Sequence, residues 1–352
     1  MPNYLIVLSV SLAVSLLLVF TKQWHGRFSF DHPQGVQKFH ITPTPRVGGI
    51  AIFSGLLAGW YVSAGEQREL LRILMIAGIP AFAFGLLEDV TKRVGVVARL
   101  LATMASGVVA CLISGLAISK FDIPMLDGLL AYWPIAVLIT AIAVGGIANA
   151  INIIDGFNGL SSGTVIISLL SLSLIARGQG DTVLASCCML LALAVMGFFL
   201  VNFPLGKIFL GDGGAYFIGF ALAWLEILLV VRNPSVSPWV MALVTAYPLI
   251  EVFYSMGRRI RSKKSAGDPD NLHLHSLIKT QLILPTLKAW PPYLMNAAVS
   301  PLVWIYAAIP ASIAVGLAGQ SVWILVVVFI LCALLYHVLY VLLRRTIKVS
   351  AA

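Results

Sequence analysis

The sequence predicts an all-α integral membrane protein with about eleven transmembrane helices. Of its 352 residues, 60% are apolar and only 11% are charged, whereas soluble domains carry about 25% charged residues. At roughly 20 residues per crossing, about 220 to 240 residues could lie in lipid. This composition excludes a soluble protein, a disordered chain and a disulfide-based scaffold.

Eleven apolar runs support this count, taken in order along the chain. They cover residues 3–20, 47–65, 70–87, 97–118, 128–148, 160–176, 183–201, 213–231, 238–256, 292–317 and 321–343. The first run has no basic residue before it and Lys22 directly after it, the reverse of the order in a cleavable signal peptide. We therefore predict a retained first helix with its N-terminus outside.

The basic residues predict the orientation of the helices. Eighteen of the 23 Lys and Arg residues lie on one side of the predicted membrane, either in its loops or, for Arg99, at the start of the adjacent run, and loops rich in basic residues are cytoplasmic by the positive-inside rule. The C-terminus is then also cytoplasmic. We predict a single membrane domain, 1–352, whose polar cytoplasmic loops are 21–46, 88–97, 149–160, 202–213 and 257–291.

The first polar cluster lies at the inner end of the third run. Glu88 and Asp89 are adjacent carboxylates, which repel unless a cation or a proton lies between them. Lys92 is four residues from Glu88 and on the same helical face. The pair indicates a metal or a shared proton; a solvated helix end with a surface ion pair is the alternative.

The second cluster follows the fifth run. Asn149, Asn152 and Asp155 are spaced by three and therefore lie along one side of a helix. Gly156 and Gly159 then allow a tight turn or a close approach of backbone to a ligand. Polar side chains that join helices by hydrogen bonds are the alternative interpretation.

The third cluster precedes the eighth run. Asp212 is flanked by glycines and could hold a metal beside a phosphate, because the first amides of the following helix point at an anion. Phe209 is a candidate stacking surface for a base. Small-residue helix packing is compatible with this function. The GxxxxGK[ST] pattern of P-loop nucleotidases is absent from the sequence.

A fourth cluster combines a basic run, residues 258–264, with His273 and His275. The basic run alone is typical of a topology anchor or a contact with anionic lipid. Two histidines beside positive charge suit a sugar or a diphosphate. Glu251 is expected to pair with Arg258 or Arg259, or to line the path of a lipid.

From about residue 31 to 275, these clusters and their order resemble the polyprenyl-phosphate N-acetylhexosamine-1-phosphate transferase family (glycosyltransferase family 4). Residues 38–49 match the family's Lys-x-His-x-x-Pro-x-Pro-Arg-x-Gly-Gly stretch, and residues 149–156 match its Asn-x-x-Asn-x-x-Asp-Gly. Three positions depart from the family pattern. Glu88 replaces an Asp, Asn158 stands where Asp is usual, and Ser276 replaces a final His.

The resemblance implies transfer of a sugar 1-phosphate from a UDP-N-acetylhexosamine to undecaprenyl or another polyprenyl phosphate. The products would be polyprenyl-diphospho-sugar and UMP, in the initiating step of O-antigen (lipopolysaccharide) or other surface polysaccharide synthesis. It further implies the bacterial cytoplasmic (inner) membrane, with the N-terminus periplasmic and the active site on the cytoplasmic face. A homodimer is compatible with it, and no nucleic acid is expected as a partner.

The resemblance also implies roles for individual residues. We expect Mg²⁺ (or Mn²⁺) to be bound by Asp212 and Asp89, with Glu88 assisting. Asp89 could remove a proton from the lipid phosphate, and Asp155 is the alternative as a nucleophile in a two-step route. The residues expected to bind substrate are Lys38, His40, Lys92, Asn149, Asn152, Asn158, Asn202, Phe209, His273 and His275.

Two other classes of function remain open at this point. A secondary transporter of a nucleotide-sugar or lipid-linked sugar would place polar residues near the bilayer midplane and on both sides of its site. A non-catalytic membrane scaffold is the third interpretation, and the departures at Asn158 and Ser276 favour it. Metal-dependent release of UMP separates the three classes.

Overall fold

The computed structural model describes residues 2–31, 43–262 and 272–350 and is a bundle of helices. The helices are α1 (Pro2–Phe20), α2 (Lys22–Ser29), α3 (Gly48–Val62), α4 (Gly65–Thr91), α5 (Val96–Ser114), α6 (Pro124–Leu130), α7 (Trp133–Ile153), α8 (Leu160–Gly178), α9 (Thr182–Asn202), α10 (Gly211–Arg232), α11 (Pro238–Val244), α12 (Ala246–Arg261), α13 (Leu274–Ile278), α14 (Leu284–Thr286), α15 (Pro292–Ala297), α16 (Val299–Gly316) and α17 (Val322–Ser350), with a π-helical segment at Lys279–Ile283. Two short antiparallel strands, β1 (Phe30–Asp31) and β2 (Thr44–Pro45), pair Phe30 with Pro45 and Asp31 with Thr44.

The predicted class, an all-α multi-pass membrane protein, is confirmed. Across the three described ranges, nine helical segments are long and apolar enough to cross a membrane, and the bent pair α11–α12 could form a tenth span. Helix α3 is apolar but has only 15 residues. The count of eleven spans therefore stays a prediction.

The run at residues 238–256 is not one straight helix. Helices α11 and α12 meet at an angle of 84°. Pro248 lies in the first turn of α12, where its missing N–H is tolerated, but it cannot donate to the carbonyl four residues earlier. That carbonyl, on Val244, instead accepts a hydrogen bond from Ser168 Oγ at 3.1 Å, so the break leaves it paired.

Helix α10 is the buried centre of the bundle and packs mainly against α4 and α7. Glycines let these neighbours come close, because small residues bring helix backbones together in membranes. A Cβ at Gly219 would lie 2.5 Å from Cα of Ala148, and one at Gly85 would lie 2.6 Å from the carbonyl carbon of Asp212. Helix α10 therefore begins, at Gly211, in the centre of the predicted cytoplasmic end of the bundle.

The opposite end of the bundle carries an ion network. Arg232 Nε lies 2.6 Å from an Asp181 oxygen, and Arg232 Nη1 lies 2.6 Å from Glu66 Oε1. These contacts join the end of α10 to the starts of α9 and α4. The three charged groups therefore already have partners on the side away from the predicted cytoplasmic loops.

Candidate active site

The site is built around the N-terminus of α10. Asp89, at the end of α4, is fully buried and accepts hydrogen bonds from the backbone amides of Asp212 and Gly213, both at 2.8 Å. The first amides of a helix have no partner within it, and a carboxylate suits the positive end of its dipole. Asp89 therefore closes the N-terminus of a neighbouring helix.

Gly211 makes this contact possible. Its φ is 76°, and a Cβ there would lie 2.6 Å from Asp89 Oδ2 and 2.5 Å from the carbonyl oxygen of Arg46. Glycine adopts this left-handed conformation at no steric cost, and other residues do not. The Gly-Asp pair in the sequence therefore allows the segments that carry Arg46, Asp89 and Asp212 to come close together.

The Asp212 carboxylate is in contact with two guanidinium groups. Arg46 Nη2 donates to Asp212 Oδ1, and Arg99 Nη1 contacts Asp212 Oδ2. Asn152 Nδ2 also donates to Oδ1, at 3.0 Å. Arg46 reaches Asp89 as well, with 3.2 Å between its Nε and Asp89 Oδ1. Two carboxylates and two guanidinium groups are thus brought together at the start of α10.

Backbone hydrogen bonds align Arg46 with this cluster. The amide of Phe209 donates to the carbonyl of Pro45 at 2.8 Å, and the amide of Gly48 donates to the carbonyl of Phe209 at 2.9 Å. The Gly49 amide donates to the Leu210 carbonyl at 3.0 Å. The end of the first cytoplasmic loop is therefore fixed to the segment that precedes Asp212.

Glu88 and Lys92 have separate partners. Glu88 Oε2 accepts a hydrogen bond from the Val94 amide at 2.7 Å, and Lys92 Nζ donates to the carbonyl oxygen of Asp89 at 2.7 Å. Lys92 itself has a left-handed backbone, with a φ of 57°, and ends α4. The adjacent carboxylates of Glu88 and Asp89 therefore accept hydrogen bonds from different donors.

Asp155 lies in the turn after α7 and is half-buried. Within the ranges that the structure describes, its side chain forms no hydrogen bond or ion pair, which sets it apart from Glu88, Asp89 and Asp212. Removal from water raises the pKa of Asp155 to about 8; Arg46 opposes this rise, and the charge of Asp89 adds to it. Asn149, on the same helix, is half-buried.

Two asparagines of the expected substrate set brace the loops. Asn158 Nδ2 donates to the carbonyl of Pro204 at 3.1 Å, and the Asn158 amide donates to Asn296 Oδ1 at 2.9 Å. Asn202 Oδ1 accepts from the Gly159 amide at 2.6 Å, and its Nδ2 donates to the Ile208 carbonyl at 2.7 Å. Their expected role in substrate binding stays a prediction.

The two histidines of the last loop reach the same region. His273 and His275 are buried, their rings are stacked with centroids 5.2 Å apart, and His275 Nε2 lies 3.9 Å from the position of a Cβ on Gly156. The expected pairing of Glu251 with Arg258 or Arg259 is wrong, because Glu251 Oε1 is bonded to His273 Nδ1 at 2.8 Å. Lys38 and His40 lie outside the described residues.

The donor set limits how a metal could be held. In the described parts of the chain, no three His, Cys, Asp or Glu side chains converge as a metal site. Both Asp89 oxygens accept backbone amides, whereas the Asp212 carboxylate contacts, among the described residues, the side chains of Arg46, Arg99 and Asn152. Mg²⁺ needs only one or two carboxylates when substrate phosphates and waters complete its shell. The residues therefore fit a metal on Asp212 that displaces an arginine.

Arg46 and Arg99 are site residues to which the sequence patterns assign no role; Arg46 is only part of the family stretch at residues 38–49, and Arg99 has no signal at all. Arg99 lies in the first turn of α5, where it counts only as one more basic residue near the membrane. The close spacing of the charges at residues 88–92 gives no sign of it. Its contact with Asp212 joins residues more than a hundred positions apart, so no local pattern could have revealed it.

Comparison with known proteins gives a consistent result. The model of a family described as glycosyl transferase family 4 matches residues 71–230, which include Asp89, Arg99, Asp155 and Asp212. The probable undecaprenyl-phosphate N-acetylglucosaminyl 1-phosphate transferase of Bacillus subtilis (strain 168) is 28% identical over 247 residues, covering 70% of this chain and 68% of its own length.

Two further relatives have related names. The undecaprenyl-phosphate alpha-N-acetylglucosaminyl 1-phosphate transferase of Escherichia coli (strain K12) is 28% identical over 341 residues, covering 94% of this chain and 89% of its own. The decaprenyl-phosphate N-acetylglucosaminephosphotransferase of Mycobacterium leprae (strain TN) is 29% identical over 275 residues, covering 67% and 66%. The similarity to the E. coli protein thus extends beyond the matched family region.

Proposed function

Because the model of glycosyl transferase family 4 matches residues 71–230 and the relatives are named as sugar-1-phosphate transferases, we propose that the chain transfers an N-acetylhexosamine 1-phosphate from a UDP-sugar to a polyprenyl phosphate. The products are polyprenyl-diphospho-sugar and UMP. The reaction takes place at the cytoplasmic face of a bacterial inner membrane. One observation carries the proposal: Arg46 and Arg99 converge on Asp212 at the N-terminus of α10.

The arginines address the main electrostatic problem of this reaction. Both substrates carry phosphate charge, so they repel each other, and phosphoryl transfer depends largely on positioning and charge neutralisation. Guanidinium groups bind phosphate oxygens in pairs of parallel hydrogen bonds. The substrate phosphates compete with the Asp212 carboxylate for Arg46 and Arg99, and these two arginines bind them. Lys92 adds a further positive charge at the edge of the site.

Asp212 is the residue that we assign to Mg²⁺ (or Mn²⁺). When bound, the metal supplies charge neutralisation on the diphosphate and on the departing UMP. Asn152 holds the Asp212 carboxylate through Oδ1, and Asp89 fixes its backbone. We therefore assign to Asp89 the positioning of Asp212, since its oxygens already accept two amides.

Asp155 is the residue that we assign to the proton. An oxygen of the polyprenyl phosphate attacks the β-phosphorus of the donor, and the bond from that phosphorus to the UMP oxygen breaks. The second pKa of a phosphate monoester is near 6, and the pKa of Asp155 is raised to about 8, so proton transfer to the ionised Asp155 is favourable. A covalent route through Asp155 is the alternative mechanism.

Release of UMP tests the proposed function. Purified protein is incubated with Mg²⁺, undecaprenyl phosphate and a panel of UDP-N-acetylhexosamines, and UMP is measured with and without the lipid. We expect UMP from at least one donor and only when the lipid is present. Uptake of a UDP-sugar into proteoliposomes without UMP formation would overturn the proposal in favour of a transporter.

A further inference from the structure

Helix α12 carries two polar side chains that the proposed mechanism does not use. Tyr247 and Glu251 are four residues apart, so they lie on one face of the helix, and their exposed fractions are 1% and 0%. Both are in the bent pair that could span the membrane. An ionisable residue at such a depth is costly unless it has a partner, and it commonly marks a functional site.

Each of these side chains holds one histidine of the last loop. Glu251 Oε1 is bonded to His273 Nδ1 at 2.8 Å, and Glu251 Oε2 accepts the amide of Leu274 at 3.1 Å. The hydroxyl of Tyr247 is bonded to His275 Nδ1 at 2.9 Å. Two side chains one turn apart on α12 therefore each bind one of two histidines that are two residues apart in the chain.

The two contacts fix the direction of both rings. The imidazoles are nearly parallel, at 13° to each other. With each Nδ1 facing α12, each Nε2 points away from it, and His275 Nε2 approaches Gly156 in the turn after α7. Phe157, in the same turn, contacts the His275 ring edge-on with centroids 5.6 Å apart. His275 is thus directed from α12 towards the turn that carries Asp155, and the His273 ring is stacked on it.

The contacts also fix the state of one ring. An ionised carboxylate only accepts hydrogen bonds, so Glu251 requires a proton on His273 Nδ1. The partner of one imidazole nitrogen sets which nitrogen of the ring carries the proton. Glu251 thereby selects both the orientation and the tautomer of His273, and the Leu274 amide prevents the carboxylate from rotating.

We propose that Glu251 and Tyr247 are positioning residues for the UDP-sugar donor. They hold His273 and His275 so that the Nε2 atoms meet the sugar or diphosphate of the donor. The inference rests on the proposed function and deepens it, because it assigns specificity for the donor to a pair of side chains within the membrane-spanning part of the chain. The polyprenyl acceptor does not depend on this pair.

The test measures binding of UDP-GlcNAc, or of the donor preferred in the UMP assay, by calorimetry without the lipid acceptor. Glu251→Gln keeps the volume but replaces one of the two acceptor oxygens by an amide NH2, so the side chain cannot accept from both His273 Nδ1 and the Leu274 amide. We expect the Kd to rise roughly 10-fold, the effect of one lost hydrogen bond to a charged group. Tyr247→Phe should raise it roughly 5-fold.

A matched control separates positioning from stability. Tyr306 is another buried tyrosine, in T-shaped contact with Tyr247, and its hydroxyl donates to the Cys332 carbonyl at 2.7 Å. Tyr306→Phe should leave the Kd within roughly twofold of the wild type, because its lost hydrogen bond holds only backbone. In turnover, Glu251→Gln should raise the KM for the donor and leave the KM for the lipid unchanged.

A double-variant comparison completes the test. If Glu251 acts through His273, then Glu251→Gln adds no further loss of donor affinity to His273→Asn. Losses that multiply, or a Kd for Glu251→Gln equal to that of the wild type, would overturn the inference. A wild-type protein that binds the donor but releases no UMP would overturn the proposed function alone, and the Kd values would still decide the inference.

Discussion

Replacing Asp89 by Asn tests whether this residue closes the N-terminus of α10. Both oxygens of Asp89 accept backbone amides, from Asp212 and Gly213, at 2.8 Å each. Asn offers one carbonyl oxygen, so one buried amide loses its partner, which costs about 1–3 kcal/mol. The partly exposed Arg46 guanidinium also loses its carboxylate neighbour at 3.2 Å.

Together these losses should lower the free energy of unfolding by about 3 kcal/mol, equivalent to a fall of roughly 5 to 10 °C in thermal midpoint. The midpoint is measured on protein in one detergent, without substrates. Glu88→Gln is the matched control, because Gln can keep the hydrogen bond that Glu88 accepts from the Val94 amide. If Asp89→Asn had the same midpoint as Glu88→Gln but no turnover, Asp89 would act on substrate and the capping account would be refuted.

Three further predictions concern Asp155, Asn158 and Gly211. Since the reactive state shares one proton between the lipid phosphate, whose second pKa is near 6, and Asp155, whose pKa is raised to about 8, kcat/KM should be level between about pH 6 and 8 and fall on either side; a profile unchanged in Asp155→Asn would contradict its role as base. Asn158→Asp sets a carboxylate against the Pro204 carbonyl, to which Asn158 Nδ2 donates, and should lower the thermal midpoint by roughly 5 °C. An unchanged midpoint would show that this hydrogen bond is dispensable. Gly211→Ala places a Cβ against Asp89 and should lower the thermal midpoint far more than Gly180→Ala, because Gly180 also has a positive φ but a Cβ there would meet nothing within 4 Å. Equal shifts in the two variants would mean that backbone strain alone, and not the contact with Asp89, destabilises Gly211→Ala.

Much of the fold could be predicted from the sequence because the bilayer imposes a simple rule on composition. Apolar runs of about 20 residues predict helices, and the runs recur as α1, α3–α5, α7–α10, α16 and α17. The apolar run at residues 238–256 does not predict the break before α12, because hydropathy does not show which backbone carbonyl a proline leaves without a hydrogen-bond donor. Pro248 was part of the sequence, but Ser168, which compensates for it, lies in another helix.

The site could be predicted in part. The spacing of Asn152 and Asp155 predicts a shared helical side, and both lie at the same end of the bundle as Asp212. Long-range contacts left no such sign. The contact of Asp89 with the Asp212 amide spans 123 positions, so no local pattern shows that this carboxylate closes the N-terminus of α10. Glu251 and His273 were likewise assigned to different partners.

The central claim is that Asp212, held between two arginines, is the charged centre of a sugar-1-phosphate transfer. The most direct measurement is the rate of UMP release from a UDP-sugar with Mg²⁺ and undecaprenyl phosphate, for the wild type, Asp212→Asn and Asp122→Asn. Asp122 pairs with Lys120 at 3.5 Å, in a connection predicted to be periplasmic. We expect a loss of at least about 100-fold in Asp212→Asn and wild-type rates in Asp122→Asn. Near-wild-type turnover by Asp212→Asn would contradict the account.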